Sequence, residues 1–223
     1  MSWLARAVIL GLTLPPAFAA GPDAGRRLVE EGQALAATGD HREALARFDS
    51  ALSADAKLAE AHAGRAASLL SLKRVEEAEA AINNALALKN EAGFHAIAGR
   101  IEVARGNVEE ARKRYDRGAA LSPKNAGKFY GDLAGALTAR RDEKLSGQIE
   151  SALKAAVAAN PPHLDSLFNL GQSYVSAGRE EGIKHLRRFA EEQARLPNEE
   201  RDEQKIRVAR QMIRAMEILK DSR

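Results

Sequence analysis

The chain has 223 residues, of which 45% are hydrophobic and only 4% aromatic. This alanine-rich composition favours closely packed helices, and no alternating run of β-branched and aromatic residues indicates a strand. Its 34 basic and 31 acidic residues are mixed along the sequence and leave a net charge of +3, so we expect no nucleic-acid partner.

The first nineteen residues have the pattern of a secretory signal peptide. A short positive start, Met1 to Arg6, precedes an apolar run that ends at Leu14, and Ala17-Phe18-Ala19 fits a cleavage site. The apolar run is shorter than the roughly 20 residues of a membrane-spanning helix. We therefore expect cleavage after Ala19, a short linker at 20–24, and a soluble periplasmic or secreted protein. An uncleaved membrane anchor is the alternative.

After the linker, small and large residues recur with a period near 34. Ala44, Ala78 and Ala111 are separated by 34 and 33 residues, and a large side chain follows each of them four residues later. Such self-similarity predicts stacked helical hairpins. Small residues are expected to let the paired backbones approach closely. In the first helices these residues are Gly32, Ala66, Gly99 and Gly171.

Glycine followed by a polar residue marks the turn inside several of these units. The three turns are Gly39-Asp40, Gly106-Asn107 and Gly178-Arg179. Glycine commonly ends a helix, and Asp or Asn commonly begins the next. A glutamate follows three residues after Asp40 and after Asn107, which is the spacing of a capping box. We predict second helices that begin near His41 and Val108 with this capping arrangement.

The segment Asn169-Leu170-Gly171-Gln172-Ser173-Tyr174 resembles the first-helix signature of the tetratricopeptide repeat family. The resemblance covers most of the expected mature chain. It implies an all-α, right-handed superhelical solenoid of antiparallel helix pairs. We place about five hairpins, at 25–58, 59–91, 92–125, 126–162 and 163–196. The fourth is degenerate because its turn lacks glycine, and in the fifth Ile183 stands where the family favours alanine.

A C-terminal capping helix is predicted at 197–223. Its apolar residues recur at steps of three and four, as expected for a helix that covers the last hydrophobic face of a repeat array. They are Ile206, Ala209, Ile213, Met216 and Leu219. A membrane-surface helix is the alternative for this segment.

Motifs that carry chemistry are missing from the sequence. There is no cysteine, no Gly-x-Ser-x-Gly, no His-Glu-x-x-His, no acidic calcium loop and no phosphate-binding loop. His62 and His95 occupy equivalent places in adjacent first helices, but a metal site needs three or four ligands. We therefore expect these histidines to serve packing or partner contact, and we expect no enzyme activity, metal or cofactor.

The resemblance implies binding of extended or helical peptides on a concave side lined by first helices. The paired Lys and Asn with which some members of the family hold a terminal carboxylate are absent, because Val29 and Gln33 stand there in the first unit and Ala63 and Ala67 in the second. The partner-contacting residues that we predict are Arg26, Val29, Gln33, Ala63, Leu70, Arg100, Val103, Phe168 and Gln172.

The leading hypothesis is a non-catalytic protein-binding scaffold or adaptor of the bacterial cell envelope. An alternative is a peptidoglycan- or polysaccharide-associated envelope protein. The basic cluster from Arg105 to Arg117 is compatible with this alternative, although the sequence lacks a group of aromatic residues that could stack on sugars.

Overall fold

A computed structural model describes residues 22–221, so the predicted signal peptide and its cleavage site lie outside the described residues. Within 22–221 there are eleven α-helices and no strand, and consecutive helices pack in pairs, which confirms the predicted all-α architecture. The helices are α1 Pro22–Thr38, α2 His41–Ala54, α3 Ala59–Ser71, α4 Val75–Leu88, α5 Ala92–Arg105, α6 Val108–Leu121, α7 Ala126–Ala139, α8 Ser146–Ala158, α9 Leu164–Ser176, α10 Glu181–Ala194 and α11 Glu203–Asp221.

The helices form two compact units, one ending at Arg105 with α1 to α5 and one beginning at Gly106 with α6 to α11. In the first unit each helix packs on the next, and α3 also contacts α1 and α5. In the second unit the same succession runs from α6 to α11, and α11 also contacts α9. The odd-numbered helices α1 to α9 are the first helices of the predicted hairpins, and the even-numbered ones are the second helices.

The core of the first hairpin is built around the ring of Phe48, which is 1% exposed. Gly32 of α1 lies so close that an added Cβ would stand 2.8 Å from the ring. Gly64 of α3 lies against the same ring, and a Cβ there would overlap it. Gly32 was predicted to allow this close approach, whereas the role of Gly64 was not. Both first helices therefore depend on glycine to accommodate one aromatic side chain.

The predicted starts of two second helices are confirmed, because α2 begins at His41 and α6 at Val108. The predicted capping boxes are wrong, since neither Asp40 nor Asn107 accepts a side-chain hydrogen bond from its helix. Asp40 has φ −80° and ψ 58°, outside the extended region from which an N-cap side chain reaches the helix amides. Its carboxylate instead accepts a hydrogen bond from Thr38 Oγ1 at 2.8 Å.

In the fifth hairpin the small residue is Gly182 and not Ile183, which corrects the predicted register. Gly182 meets the backbone of Gly171, whereas Ile183 is only half-buried. The chain is one residue shorter here, because Gly182 follows Gly178 by four positions while Ala44 follows Gly39 by five. Loss of one residue from the turn therefore moves the close contact back by one position.

The C-terminal helix α11 packs on α10 and α9 through its apolar side. Ile206 and Ala209 are buried, as predicted, but Leu219 is 59% exposed and does not belong to the packed face. At the other end, α1 begins at Pro22, inside the predicted linker. Among the helices within 22–221, none combines the length and apolarity needed to cross a membrane.

Candidate functional site

A groove of about 700 Å³ lies between the first helices α7 and α9 of the second unit. We call it the α7–α9 groove. One wall is made of small residues of α7, the opposite wall is polar and belongs to α9 and the residues just before it, and Ile149 and Leu153 of α8 form an apolar floor. The α7 wall consists of Gly131, Ala134, Gly135, Thr138 and Ala139, and the polar wall of His163, Asp165, Ser166, Asn169, Gln172 and Ser173.

Two amide side chains on the polar wall are available for binding. Asn169 and Gln172 are exposed, and neither forms a side-chain hydrogen bond with any residue that the structure describes. Three residues apart on a helix, they project from neighbouring turns of the same side. Each amide offers two donors and one acceptor oxygen. Asp165 differs, because its carboxylate accepts a hydrogen bond from Lys205 Nζ at 2.7 Å.

Space within the groove is kept open by Gly135. A Cβ built on Gly135 would meet no atom within 4 Å, so this part of α7 presents bare backbone to the groove. Gly131, one turn earlier, is instead covered by the ring of His163. The open part of the groove therefore begins beyond His163 and extends along α7 past Gly135.

His163 closes one end of the groove. Its Nδ1 lies 2.9 Å from Oγ of Ser166, and Ser166 is 1% exposed. Burial lowers the pKa of His163 below its ordinary value, and Lys128 and Lys205 act in the same direction, while Asp165 and Asp132 oppose them. The fold consequently favours the neutral imidazole, which suits a ring packed directly against helix backbone.

A second groove, of about 520 Å³, lies between α1 and α3 in the first unit, and we call it the α1–α3 groove. Its lining residues are Arg26, Val29, Glu30, Gln33, Asp55, Lys57, Leu58 and Glu60. Glu60 is held by Lys89, whose Nζ lies 3.0 Å away, and this hydrogen bond lowers the pKa of the Glu60 carboxyl. Arg26 and Gln33 form no hydrogen bond or ion pair with another described residue. The groove thus offers two cations, Arg26 and Lys57, and the amide of Gln33.

The structure separates the predicted partner-contacting residues into two groups. Arg26, Gln33, Arg100 and Gln172 are exposed, and Leu70 is half-buried. The other four are core residues with little side chain to offer a partner: Val29 at 7% exposure, Ala63 at 4%, Val103 at 3% and Phe168 at 7%.

The predicted apolar stripe is therefore mostly core. Ala63 belongs to the cluster formed by α3, α4 and α5, and the ring of Phe168 packs on Phe189 with centroids 5.3 Å apart. Val29 is buried against α2 and only borders the α1–α3 groove. Two grooves still contain predicted residues, Arg26 and Gln33 in one and Gln172 in the other.

The basic cluster between Arg105 and Arg117 is largely paired with acids. Arg105 contacts Glu79, the Nε atom of Arg112 lies 3.0 Å from Asp116, and Glu110 pairs with Lys113 at 3.2 Å and with Arg114 at 3.5 Å. Arg117 has no ion pair within the described chain. The cluster therefore presents much less free positive charge than its sequence indicates.

The two repeat-equivalent histidines are each engaged locally. His62 Nε2 lies 3.0 Å from the carbonyl oxygen of Ala56, and His95 Nε2 lies 2.7 Å from Asn90 Oδ1. No group of three or more His, Asp or Glu side chains in residues 22–221 is placed to hold a metal ion. Both rings serve to fix the loop that precedes their helix.

Comparison with known proteins supports the same architecture. Residues 29–93, from α1 into α5, match the tetratricopeptide repeat family model. No curated protein matches the sequence. The thermophilic TPR protein of Thermus thermophilus is 19% identical, with a TM-score of 0.57 over 85% of this chain and 99% of that one. The MamA protein is 16% identical, with a TM-score of 0.53 over 77% and 93%. These two likenesses show the fold.

A smaller domain resembles part of the chain. It is the first TPR of Spaghetti (RPAP3), whose structure contains the HSP90 peptide SRMEEVD. It is 25% identical and covers 55% of this chain and 97% of its own, with a TM-score of 0.48.

Proposed function

We propose that this protein is a non-catalytic scaffold of the bacterial cell envelope that binds segments of other proteins in the grooves between its first helices. One observation carries the proposal: the α7–α9 groove sets the free amides of Asn169 and Gln172 opposite the bare backbone of Gly135, above an apolar floor.

The chemistry of this groove suits an extended peptide. Each peptide unit offers an N–H donor and a C=O acceptor, and an Asn or Gln amide can bond both. Asn169 and Gln172 are separated along α9 by about 4.5 Å, three residues at roughly 1.5 Å each. In an extended peptide the groups that face one side recur every two residues, about 6.6 Å apart, so the two flexible side-chain amides can each reach one of them. Apolar side chains of the ligand would rest on Ile149 and Leu153.

The match of residues 29–93 to the tetratricopeptide repeat family supports the same class of function, because proteins of this family are protein-binding scaffolds. Stacked helical repeats present long accessible surfaces and seldom enclose a deep reactive pocket. In the α1–α3 groove, Arg26 would contribute a charge-assisted hydrogen bond to a carboxylate of the ligand, and Gln33 a neutral one.

Binding is tested by selection from a phage-displayed peptide library on the purified chain without its first nineteen residues. The informative variant is Gly135→Leu, which fills the groove from an open position. Its matched control is Gly147→Leu, because a Cβ built on Gly147 would also meet no atom within 4 Å, but Gly147 lies on α8 outside the groove. A double variant, Asn169→Ala with Gln172→Ala, removes the amides.

We expect peptides that bind the wild type and the Gly147→Leu control but lose at least about tenfold in affinity with Gly135→Leu and with the double alanine variant. Enriched peptides that bind all four proteins equally would place binding elsewhere. Failure to enrich any peptide, with isolated peptidoglycan retained by the same protein, would favour a wall-associated role.

The envelope location rests on the N-terminal pattern and has its own test. Expression of the full chain in a Gram-negative host, followed by fractionation and N-terminal sequencing, is expected to yield a periplasmic protein that begins at Ala20. A protein that keeps Met1 and stays in the cytosolic fraction would contradict export without affecting the binding proposal.

A further inference from the structure

Three arginines form a row on the outer face of α11. Arg207, Arg210 and Arg214 are separated by three and four residues and therefore lie on one side of the helix. All three are exposed, and none forms a hydrogen bond or ion pair with a residue that the structure describes. Ile218 continues the row one turn further and is 66% exposed. We call these four residues the arginine row.

Two charged side chains near the C-terminal end of α11 pair with residues of the preceding hairpin. Glu217 accepts a hydrogen bond from Arg187 at 2.6 Å, and the adjoining basic side chain Lys220 binds Glu180 at 3.0 Å. Glu203, four residues before Arg207, forms no ion pair with it in the described chain. The three arginines thus form no ion pair with a described residue, although the exposed acids Glu203 and Asp221 lie on the same side of the helix at its two ends.

The place of α11 in the second unit indicates what kind of element this face fits. It contacts both α10 and α9, as α3 contacts both α2 and α1 in the first unit. It therefore occupies the position of the first helix of a further hairpin. No second helix follows it within the described residues, and the exposed side of α11 that carries the arginine row is covered by no described element.

We propose that the arginine row binds an acidic amphipathic helix of a partner protein. Three carboxylates of that helix, spaced by three and four residues, would face Arg207, Arg210 and Arg214. An apolar residue one turn beyond them would cover Ile218. Guanidinium groups bind carboxylates in bidentate geometry, which gives such a contact orientation as well as charge complementarity. This surface is separate from both grooves, so the inference goes beyond the function proposed above.

An anionic bilayer is a weaker match for the same face. A helix that lies in a membrane surface needs a long apolar side, and the apolar side of α11 is occupied by α10 and α9. The exposed large apolar residues of α11 are Ile218 and Leu219, and both lie near one end. Three arginines near an anionic surface contribute about 1 kcal/mol each, which alone gives only weak attachment.

The test uses a synthetic helical peptide as the probe. It carries three glutamates spaced by three and four residues, with a leucine one turn beyond each end so that either chain direction can match Ile218. A second peptide has lysines in place of the glutamates. Binding is followed by fluorescence anisotropy, with low and physiological salt compared, because pairing of exposed charges is screened.

The decisive variant is the triple substitution Arg207→Gln, Arg210→Gln and Arg214→Gln. A control with the same net charge carries Arg42→Gln, Arg117→Gln and Arg141→Gln, which remove exposed arginines elsewhere. A further variant, Ile218→Ser, removes the apolar end of the row. Circular dichroism confirms that all variants keep their helical content.

We expect the glutamate peptide to bind the wild type and the control with equal affinity. With the triple variant its affinity should fall about tenfold or more, because three exposed Arg–Glu ion pairs, each contributing up to about 1 kcal/mol, are lost. Ile218→Ser is expected to weaken binding further, and the lysine peptide not to bind. Equal affinity for the triple variant would overturn the proposal. Binding of the protein to phosphatidylglycerol vesicles, without binding to the glutamate peptide, would also overturn it.

Discussion

Gly182 of α10 lies backbone to backbone with Gly171 of α9. A Cβ added at Gly182 would stand 2.6 Å from the carbonyl oxygen of Gly171 and 2.7 Å from the backbone nitrogen of Val175. Because both contacts are with backbone, no side-chain rearrangement can relieve them. This contact fixes how closely the two helices of the last hairpin approach each other, and hence where Leu186 and Phe189 are buried.

We therefore expect Gly182→Ala to lower the free energy of unfolding by about 1–3 kcal/mol through overpacking. Gly135→Ala is the matched control, because it also places a methyl group inside a helix but meets no atom within 4 Å. The control is expected to raise stability by about 0.5–1 kcal/mol, since alanine is the better helix former. Urea denaturation of both variants measures the difference, and similar values for the two would contradict the packing role.

The register at Gly182 shows what the repeat period could and could not predict. The spacing of Ala44, Ala78 and Ala111 correctly identified small contact residues, and all three are fully buried. In the fifth hairpin the family pattern selected Ile183, which follows Gly171 by twelve residues as Ala111 follows Gly99, because a fixed spacing cannot detect a turn that is one residue shorter. The predicted capping boxes were wrong for a related reason, because the spacing of residues in the sequence does not determine the backbone angles of Asp40.

Two turns adopt left-handed backbone without glycine. Lys73 has φ 61° and Arg141 has φ 53°, whereas the equivalent turns elsewhere use Gly39 and Gly106. A side chain in this region costs roughly 1 kcal/mol relative to glycine. Replacing either residue by glycine is thus expected to stabilise the protein by about that amount, measured as a shift in the urea midpoint. Lys73→Ala tests the cause, because removal of the charge alone should give no comparable gain.

Glu150 of α8 forms a polar cluster with α9 and the turn that follows it. Its carboxylate is bonded by Lys154 Nζ at 2.8 Å and by Tyr174 Oη at 2.6 Å, while Arg179 stacks 3.7 Å above the ring of Tyr174. The hydrogen bond from Lys154 is the largest cause that lowers the pKa of Glu150 to about 2, and that from Tyr174 comes next. The cluster therefore favours the ionised carboxylate.

A carboxyl group with a lowered pKa in the folded state stabilises the protein above its ordinary pKa of 4.5, and this contribution is lost as the pH falls from 4.5 towards 2. Glu150→Gln should remove that part of the acid sensitivity. Because the side chain is about one-third exposed, we expect a loss of less than about 1 kcal/mol at neutral pH. Unfolding free energies at neutral pH and within this window test the prediction. Parallel pH curves for wild type and variant would contradict it.

The candidate site was predicted only in part. Gln172, Arg26 and Gln33 do line grooves. They could be predicted because their hairpins resemble the family consensus, and that resemblance indicates which side of a first helix faces a partner. The α7 wall of the larger groove was missed because the fourth hairpin lacks the family signature. The sequence therefore did not indicate on which side of α7 Gly131 and Gly135 lie. Burial of Val103 and Phe168 was also missed, because neighbouring hairpins decide which side of a first helix is covered.

His163 links the larger groove to pH. Its ring lies against Gly131 and next to the buried Ser166, and burial lowers its pKa. A histidine with a lowered pKa binds fewer protons in the folded state than in the unfolded state, so stability falls as the pH drops below the ordinary value of 6.5. The charged residues that face it are Lys128, Asp132, Asp165 and Lys205.

We expect wild-type stability to decrease as the pH falls below 6.5 and His163→Gln to lose most of this decrease, because glutamine can bond Ser166 but does not titrate. Unfolding by urea at several pH values measures the effect, and NMR titration of the His163 ring locates its pKa directly. Since protonation would also drive the ring from Gly131, peptides selected on the α7–α9 groove should bind more weakly at acidic pH to the wild type than to His163→Gln. A wild-type His163 that titrates at 6.5 or above would show that burial does not govern this ring.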